Sequence, residues 1–371
     1  MKINIVLGHE LPFPSKKGGG VNSLLGQLVN EFNDLGNEVT VYSPTFEGYN
    51  DIEVSNGVKY IRVKGATRKA NLILNFFAGL PYFFRVLKKM EYADVLSTHL
   101  WHGFLFSFFK VAKVKTHTVH RDPKKYLNLF KNFNRIYFGS DSVCNEAIQM
   151  MPSLSDKFKT VYNCVDFKNY VSAVERKQEK KIRFLYVGRF SADKGLESLF
   201  FGFKKALDTF PDICLKTVGP LTEEGGSNMN YIRKLSDFVV ENDLNNSIQI
   251  SGPIYERDIL DKEIGEHDVI VLPSIYGETL NMVVLECMRI GRAQLISDLP
   301  ANIPLNEEGS TGFFCKAGDA ESWAANIVKI ARDIQMGVDY GSNTFEYGKN
   351  KFSSKIVSKE YISDFRVLLN I

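Results

Sequence analysis

Short apolar runs alternate with stretches of helical spacing along nearly the whole chain. Lys2–Leu7 is a β-rich apolar run that ends at Gly8 and a Pro/Gly-rich loop through Gly20. Between Val21 and Leu35, apolar residues fall at Val21, Leu24, Leu25, Leu28, Val29 and Phe32. That spacing lines one face of a helix. Gly36 follows, where a helix ends in the left-handed conformation. Val39–Tyr42 is the next strand. The order predicts a right-handed, parallel βαβ unit. Asp94–Ser97, Thr116–Val119, Arg135–Phe138 and Thr160–Tyr162 continue it as strands between helical stretches. The chain then turns polar and charged over Val171–Lys181. A second series follows, with strands expected at Phe184–Val187, Cys214–Val218, Ile248–Ile250 and Val269–Leu272. Leu196–Leu207 and Tyr231–Glu241 lie between them as helices, and Phe352–Leu369 reads as a last amphipathic helix.

Two successive α/β series predict two Rossmann-like domains, with ligands bound at the carboxyl ends of their strands. The expected organisation is an N-terminal domain over 1–170, a linker over 171–181, a C-terminal domain over 182–350, and a helix over 351–371 packing back on the N-terminal domain. A length of 371 residues fits two such domains.

Charge sharpens the division. The net charge of +3 splits into +8 over residues 1–170 and −5 over the remainder. A basic half suits an anionic partner, whether nucleic acid, membrane surface or substrate. Five scattered cysteines with no CxxC predict neither a disulfide framework nor a zinc site, and suggest a reducing, cytoplasmic setting. No run approaches the roughly 20 apolar residues of a membrane span. The first ten residues read as a buried strand and not as a signal peptide.

Chemistry concentrates at a few strand ends. In Leu272–Gly291 a buried strand ends at Pro273, a loop carries Glu278, and a helix is expected to start near Asn281. Loop and helix N–H groups attract anions there. Glu278 could accept hydrogen bonds from a hydroxylated ligand, and Glu286, eight residues on, could reach a ribose diol. The plain alternative makes Glu278 a helix cap and Glu286 a solvated residue, and spacing alone leaves it open. Against it, Glu286 lies in the apolar run MVVLECM, where an unpaired carboxylate is costly. In Phe184–Gly195 a strand ends at Gly188, followed by Arg189 and, five residues later, Lys194. Two cations at a strand–helix junction suit a diphosphate, although most such loops are merely solvated. Gly18, Gly19 and Gly20 allow close backbone approach, but match neither GxGxxG nor the P-loop. His120 ends a strand, and His99 and His102 stand similarly after the preceding one, while His9, His117 and His267 read as structural hydrogen-bonders. No two aspartates stand two positions apart to hold a metal on a diphosphate. Arg189, Lys194 and helix dipoles would have to neutralise it instead.

Taken in register, these segments resemble the retaining nucleotide-sugar glycosyltransferases of family four, which have the GT-B fold. The resemblance rests on Gly19-Gly20, Gly36-Asn37-Glu38-Val39, His120 in TVH, Tyr162–Asp166 in place of PNGVD, YVGRFSADKG, the EX7E motif from Glu278 to Glu286, and Gly291. It implies two Rossmann-like domains with parallel sheets facing across a crevice. It also implies transfer of a hexose, of glucose or N-acetylglucosamine type, from a UDP-sugar to a saccharide or lipid-linked acceptor in bacterial surface polysaccharide or lipopolysaccharide synthesis, with no metal or other cofactor. Arg189 and Lys194 would bind the donor diphosphate and stabilise its departure. Glu278 would contact sugar hydroxyls and Glu286 the ribose. The backbone of Leu280, Asn281, Met282 and Val283 would touch sugar and phosphate, with Gly188 ending the strand before Arg189. Ile254 would lie near the base, Gly19 and Gly20 near phosphate or acceptor, and His120 beside the anomeric carbon. Departures from the family pattern are Thr279-Leu280-Asn281 in place of GFG, Cys164 for a glycine, and Leu299-Pro300-Ala301 for a Gly-Gly.

From Val54 to Met90 there are eight basic residues and no acidic one, around the apolar LILNFFAGLPYFF. That composition suits peripheral docking on the inner face of an anionic membrane, or equally a core helix with solvated flanks. The competing classes are a nucleic-acid binder, which lacks an RNP-like or recognition-helix pattern, an epimerase or phosphorylase of GT-B shape, and a catalytically inactive binding module.

Overall fold

The computed structural model describes the chain except residues 12, 15–19, 68–70, 121–124, 168–180 and 224–225. The expected linker therefore lies, but for Lys181, outside the described residues. The chain divides into two compact units, Met1–Cys164 with Ser354–Ile371, and Val165–Ser353.

The first unit holds strands β1 (Lys2–Val6), β2 (Glu38–Pro44), β3 (Ile52–Ser55), β4 (Val58–Val63), β5 (Ala93–Thr98), β6 (Ala112–Val119), β7 (Arg135–Phe138) and β8 (Phe158–Thr160). Helices α1 (Gly20–Asp34), α2 (Leu72–Lys89) and α3 (Asp141–Met150) run between them. The sheet order is β3-β4-β2-β1-β5-β6-β7-β8, parallel throughout except at β3–β4. That exception is a hairpin. Asn56 and Gly57 both take positive φ, 49° and 80°, the backbone that a two-residue turn between twisted strands requires. The near-continuous burial of β1, β2, β5 and β6 fits a parallel sheet covered on both faces.

The second unit holds β9 (Ile182–Val187), β10 (Ile213–Val218), β11 (Ile248–Ser251), β12 (Val269–Leu272), β13 (Ala293–Ser297) and β14 (Gly312–Cys315). Its helices are α4 (Leu196–Thr209), α5 (Met229–Glu241), α6 (Arg257–Gly265), α7 (Met282–Ile290), α8 (Ala320–Gln335) and α9 (Tyr340–Phe352). All its strands are parallel, in the order β11-β10-β9-β12-β13-β14. Buried Phe184, Phe203, Leu215, Leu295 and Trp323 centre its core.

Each sheet reverses direction once, between β1 and β5 and between β9 and β12. A doubly-wound sheet opens its binding crevice at that point, because the flanking loops part to opposite faces.

The last helix, α10 (Ser354–Leu369), belongs to the first unit. Its Tyr361 and Phe365 pack edge-on against Phe32 of α1, ring centroids 5.9 and 6.1 Å away. Asp364, 5% exposed, accepts from Tyr137 Oη at 2.7 Å, and pairs with Arg135 at 3.0 Å and Lys159 at 3.1 Å. Burial alone would raise its carboxyl; the bonds from Tyr137, Arg135 and Lys159 outweigh burial and hold it below the ordinary value.

Candidate donor site and histidine cluster

The two strands at the switch point of the second unit deliver the candidate residues. β9 and β12 are neighbours, with Phe184 opposite Val269 and Leu185 opposite Ile270. Gly188, Arg189 and Lys194 leave the end of β9, while Ser274 and Glu278 leave the end of β12. The backbone carries the first group round a 3-10 turn, Ala192–Lys194, closed by Gly195 at φ +65°. A Cβ on Gly195 would lie 2.0 Å from the Pro273 carbonyl oxygen, so only glycine lets the two loops meet this closely. Tyr186 Oη donates to the Arg189 carbonyl at 2.6 Å and fixes the turn from inside. Burial, reinforced by Glu278, keeps that phenol protonated.

Glu278 is the hub. Its carboxylate accepts from Lys194 Nζ and Ser274 Oγ, both at 2.6 Å, and from Asn281 Nδ2 at 3.4 Å. Its side chain is 7% exposed and that of Lys194 12%. Glu278 does not cap the helix. Asn281 does, its Oδ1 accepting from Val283 and Val284 N–H. Of the backbone groups expected to meet the ligand, the Val283 amide is therefore already bonded. Met282 opens the helix at its N-terminus, and Leu280 is buried beneath the loop.

Arg189 is half-exposed and bridges to Asp193 at 3.3 Å, which Lys194 also approaches at 3.8 Å. Glu286 is not solvated: its side chain is 12% exposed and pairs with Arg257 at the start of α6. Arg257 also meets Asp261 at 3.1 Å, and Asp261 pairs with Arg289, closing a network of two acids and two guanidinium groups. Ile254 packs partly buried against the small core of Leu185, Val218, Ile264 and Cys287.

In the first unit Gly20 is the first residue of α1, and Gly19 lies outside the described residues. His120 follows β6, and its Nε2 lies 2.9 Å from His99 Nδ1. His117 bonds Thr98 Oγ1 at 3.0 Å and stacks on Phe130 at 3.9 Å. His102 meets the Phe76 carbonyl at 2.8 Å, and His267 that of Glu263 at 2.7 Å. Ser274, Asp193, Arg257 and the partnership of His99 escape sequence reasoning. Nothing in their spacing announces them, because their contacts exist only once separate loops fold together.

Chemically, the second unit presents two cations and the Glu278 carboxylate after adjoining strand ends, and Glu286 within the helix that follows. Such a set can bind a phosphate group and hydroxyls together. Among the described residues no three His, Cys, Asp or Glu side chains cluster as a metal site would require. A cavity of about 380 Å³ lies elsewhere, lined by Phe201, Arg233 and Phe238 among others, and carries none of the candidate residues.

Two family models tile the chain. Glycosyltransferase Family 4 matches residues 18–169, and Glycosyl transferases group 1 matches 168–347. The chain belongs to the family 4 glycosyltransferases. Among curated relatives, spore coat protein SA of Bacillus subtilis is 26% identical over 337 residues, covering 84% of this chain and 85% of its own length. Phosphatidyl-myo-inositol mannosyltransferase of Mycolicibacterium smegmatis is 25% identical over 369 residues, covering 93% and 89%. Among solved structures, sucrose-phosphate synthase from Thermosynechococcus elongatus superposes with a TM-score of 0.78 at 22% identity, covering 100% of this chain and 99% of that one. Anabaena HepE in complex with UDP superposes at 0.73 and 17% identity, covering 99% and 100%. The transferase thus has the GT-B fold.

Proposed function

We propose that this transferase moves a hexose, of glucose or N-acetylglucosamine type, from a UDP-sugar to a saccharide or lipid-linked acceptor, retaining the anomeric configuration. The single observation that carries the reading is the constellation Arg189, Lys194 and Glu278 on adjoining strand ends of one doubly-wound unit, with Glu286 on the helix that follows. The UDP in the HepE structure supports the choice of base. The capsular polysaccharide biosynthesis glycosyltransferase CapM of Staphylococcus aureus and the phosphatidyl-myo-inositol mannosyltransferase, by their names, support a surface-glycan role and a lipid acceptor.

In this reading Arg189 and Lys194 take the diphosphate and stabilise the negative charge that grows on it as the glycosidic bond breaks. Glu278 accepts from sugar hydroxyls while Lys194 holds it in place. Glu286, steadied by Arg257, accepts from the ribose. Ile254 lies by the base, the Gly188–Arg189 turn and Leu280–Val283 line the phosphate and sugar, and Gly19 and Gly20 serve phosphate or acceptor. The acceptor hydroxyl attacks the face that the diphosphate leaves, and a phosphate oxygen takes its proton, so no enzyme nucleophile is needed. His120 hydrogen-bonds the reacting sugar. The positive charge of the two cations serves in place of a metal.

The acceptor side rests on α2. Tyr82, Phe83 and Val86 are buried, while Leu74, Phe77 and Phe84 are 56–61% exposed on the opposite face, and Arg85, Lys88 and Lys89 stand exposed beside them. No described helix is long and apolar enough to cross a membrane. The exposed face suits peripheral docking on an anionic bilayer at its cytoplasmic side.

The test incubates the full chain with UDP-glucose, UDP-N-acetylglucosamine and GDP-mannose, with and without EDTA, and follows nucleotide release and the anomeric signal of the product by NMR. An axial product from one UDP-sugar, unaffected by EDTA, is expected. An inverted product or dependence on a divalent cation would refute the mechanism. Release only from GDP-mannose would refute the donor. Flotation equal on anionic and neutral vesicles would refute the docking face.

A further inference from the structure

Five of the chain's six histidines lie in the first unit, and two of them touch through ring nitrogens. His99 Nδ1 and His120 Nε2 are 2.9 Å apart, with ring planes 26° from parallel. On its other side His99 Nε2 meets Ser97 Oγ at 3.1 Å. The His99 backbone is itself anchored, its N–H donating to the Val6 carbonyl at 2.9 Å. A chain of hydrogen bonds therefore runs from Ser97 through His99 to His120. Among the described residues nothing bonds His120 Nδ1.

We propose that His99 is a positioning residue for His120, holding that buried imidazole in one orientation, so that Nδ1 is the atom it offers a ligand. The inference deepens the proposed function, since it rests on His120 serving the reacting sugar.

The geometry gives the reason. A nitrogen–nitrogen contact of 2.9 Å has room for one hydrogen. A cationic imidazole carries hydrogen on both nitrogens. Were both rings cationic, two N–H groups would point at each other, so the pair cannot take up two protons without coming apart. Within the neutral pair the tautomer of one ring dictates that of the other. If His99 donates, His120 presents an N–H at Nδ1; if His120 donates, it presents a lone pair. Either way the outward atom has one defined character, which a freely turning imidazole lacks.

The surroundings agree. Burial lowers both rings, His99 well below the ordinary histidine range and His120 to about 4. For His99 the neighbouring His120 and then His117 on β6 add to burial, and His117 is itself lowered to about 3 by burial. Of the carboxylates that precede His99 in the chain, Asp94 pairs with Lys113 and Glu91 with Lys59, while Asp122, two residues after His120, lies outside the described residues.

Long-range ¹H–¹⁵N spectra of the full chain, labelled at histidine, test the proposal directly. The His120 signal is assigned by its loss in His120→Gln. Wild type should show one neutral tautomer of His120 and no titration between about pH 5.5 and 8. In His99→Phe, which keeps a ring but no nitrogen, His120 should populate both tautomers. His99→Asn, whose amide falls near the lost Nδ1, should restore a single tautomer. With UDP-glucose as probe, His99→Phe should lower kcat for its hydrolysis about tenfold at unchanged KM and leave the UDP thermal shift intact. Wild-type titration of His120 near 6.5, or an unchanged spectrum in His99→Phe, would overturn the proposal, and the wild-type titration decides even if the variant does not fold. The spectra need no donor. Failure to bind UDP with the histidine pair intact would count against the donor reading alone.

Discussion

Removing the Lys194–Glu278 pair one side at a time and then together separates a structural role from a binding role. Lys194→Met strips a 7% exposed carboxylate of a partner at 2.6 Å, leaving Ser274 and Asn281. Breaking a buried ion pair from one side costs about 3–5 kcal/mol, whereas replacing both charges is often close to neutral. Lys194→Met should therefore destabilise the second unit strongly, and Lys194→Met with Glu278→Gln should recover most of the loss. Binding follows a different rule. A charge-assisted bond to phosphate is worth about 1.5–3 kcal/mol, so the double variant should bind UDP about ten- to a hundredfold more weakly. At a hundredfold the wild-type Kd, UDP stabilises the wild type by about 2.7 kcal/mol, and a variant fiftyfold weaker by about 0.6 kcal/mol. For a unit of this size those figures correspond to melting shifts of about 5–10 °C and about 1–3 °C. The assay is thermal unfolding followed by titration calorimetry, with EDTA present. A double variant that folds and binds UDP like the wild type would show that Lys194 serves only to neutralise Glu278, and the assignment of the diphosphate to it would fall.

Gln294, fully buried on β13, has no hydrogen-bond partner for its Oε1 or Nε2 among the described residues; Gln294→Leu should stabilise by about 1–3 kcal/mol in urea unfolding, and a loss of stability would contradict the accounting. Asp364→Ala takes the carboxylate from Arg135, Lys159 and the buried Tyr137 hydroxyl, and should cost the first unit about 3–5 kcal/mol, with Asp364→Asn intermediate, as read from urea midpoints. His117 is lowered to about 3, below its unfolded value of roughly 6.5, so its contribution is complete above that value and is lost as pH falls toward 3. The slope is about 1.4 kcal/mol per pH unit; equal stability of the first unit at pH 5 and pH 7 would refute it. Gly195→Ala forces a Cβ to 2.0 Å from the Pro273 oxygen at a left-handed φ, and should weaken UDP binding more than tenfold while α4 persists by circular dichroism.

Much of the architecture was legible because parallel strands buried on both faces announce themselves as unbroken apolar runs. β7 and β12 match their runs residue for residue, and α1 begins and ends within a residue of its amphipathic pattern. The β3–β4 hairpin escaped, although Asn56-Gly57 is a strong turn signal, since Ile52 and Val54 are exposed edge residues with no core face to register. β13 and β14 escaped because Gln294 and Gly312 interrupt their apolar pattern. The charged donor residues were legible one by one, but not who holds whom. Glu286 was suspect for lying in an apolar run, and its partner Arg257 stands 29 positions away on another helix. Spacing carries no trace of that distance.

The assignment of α10 to the first unit has a consequence for how the protein is made. Residues 165–353 are an insertion into a fold that begins before them and finishes after them. On the ribosome the usual order, amino-terminal domain first, is reversed. The second unit can complete its six-stranded sheet while Phe32 and Tyr137 still face solvent, and the first unit closes only when Tyr361, Asp364 and Phe365 emerge. Until then its newborn apolar seam is a client for chaperones.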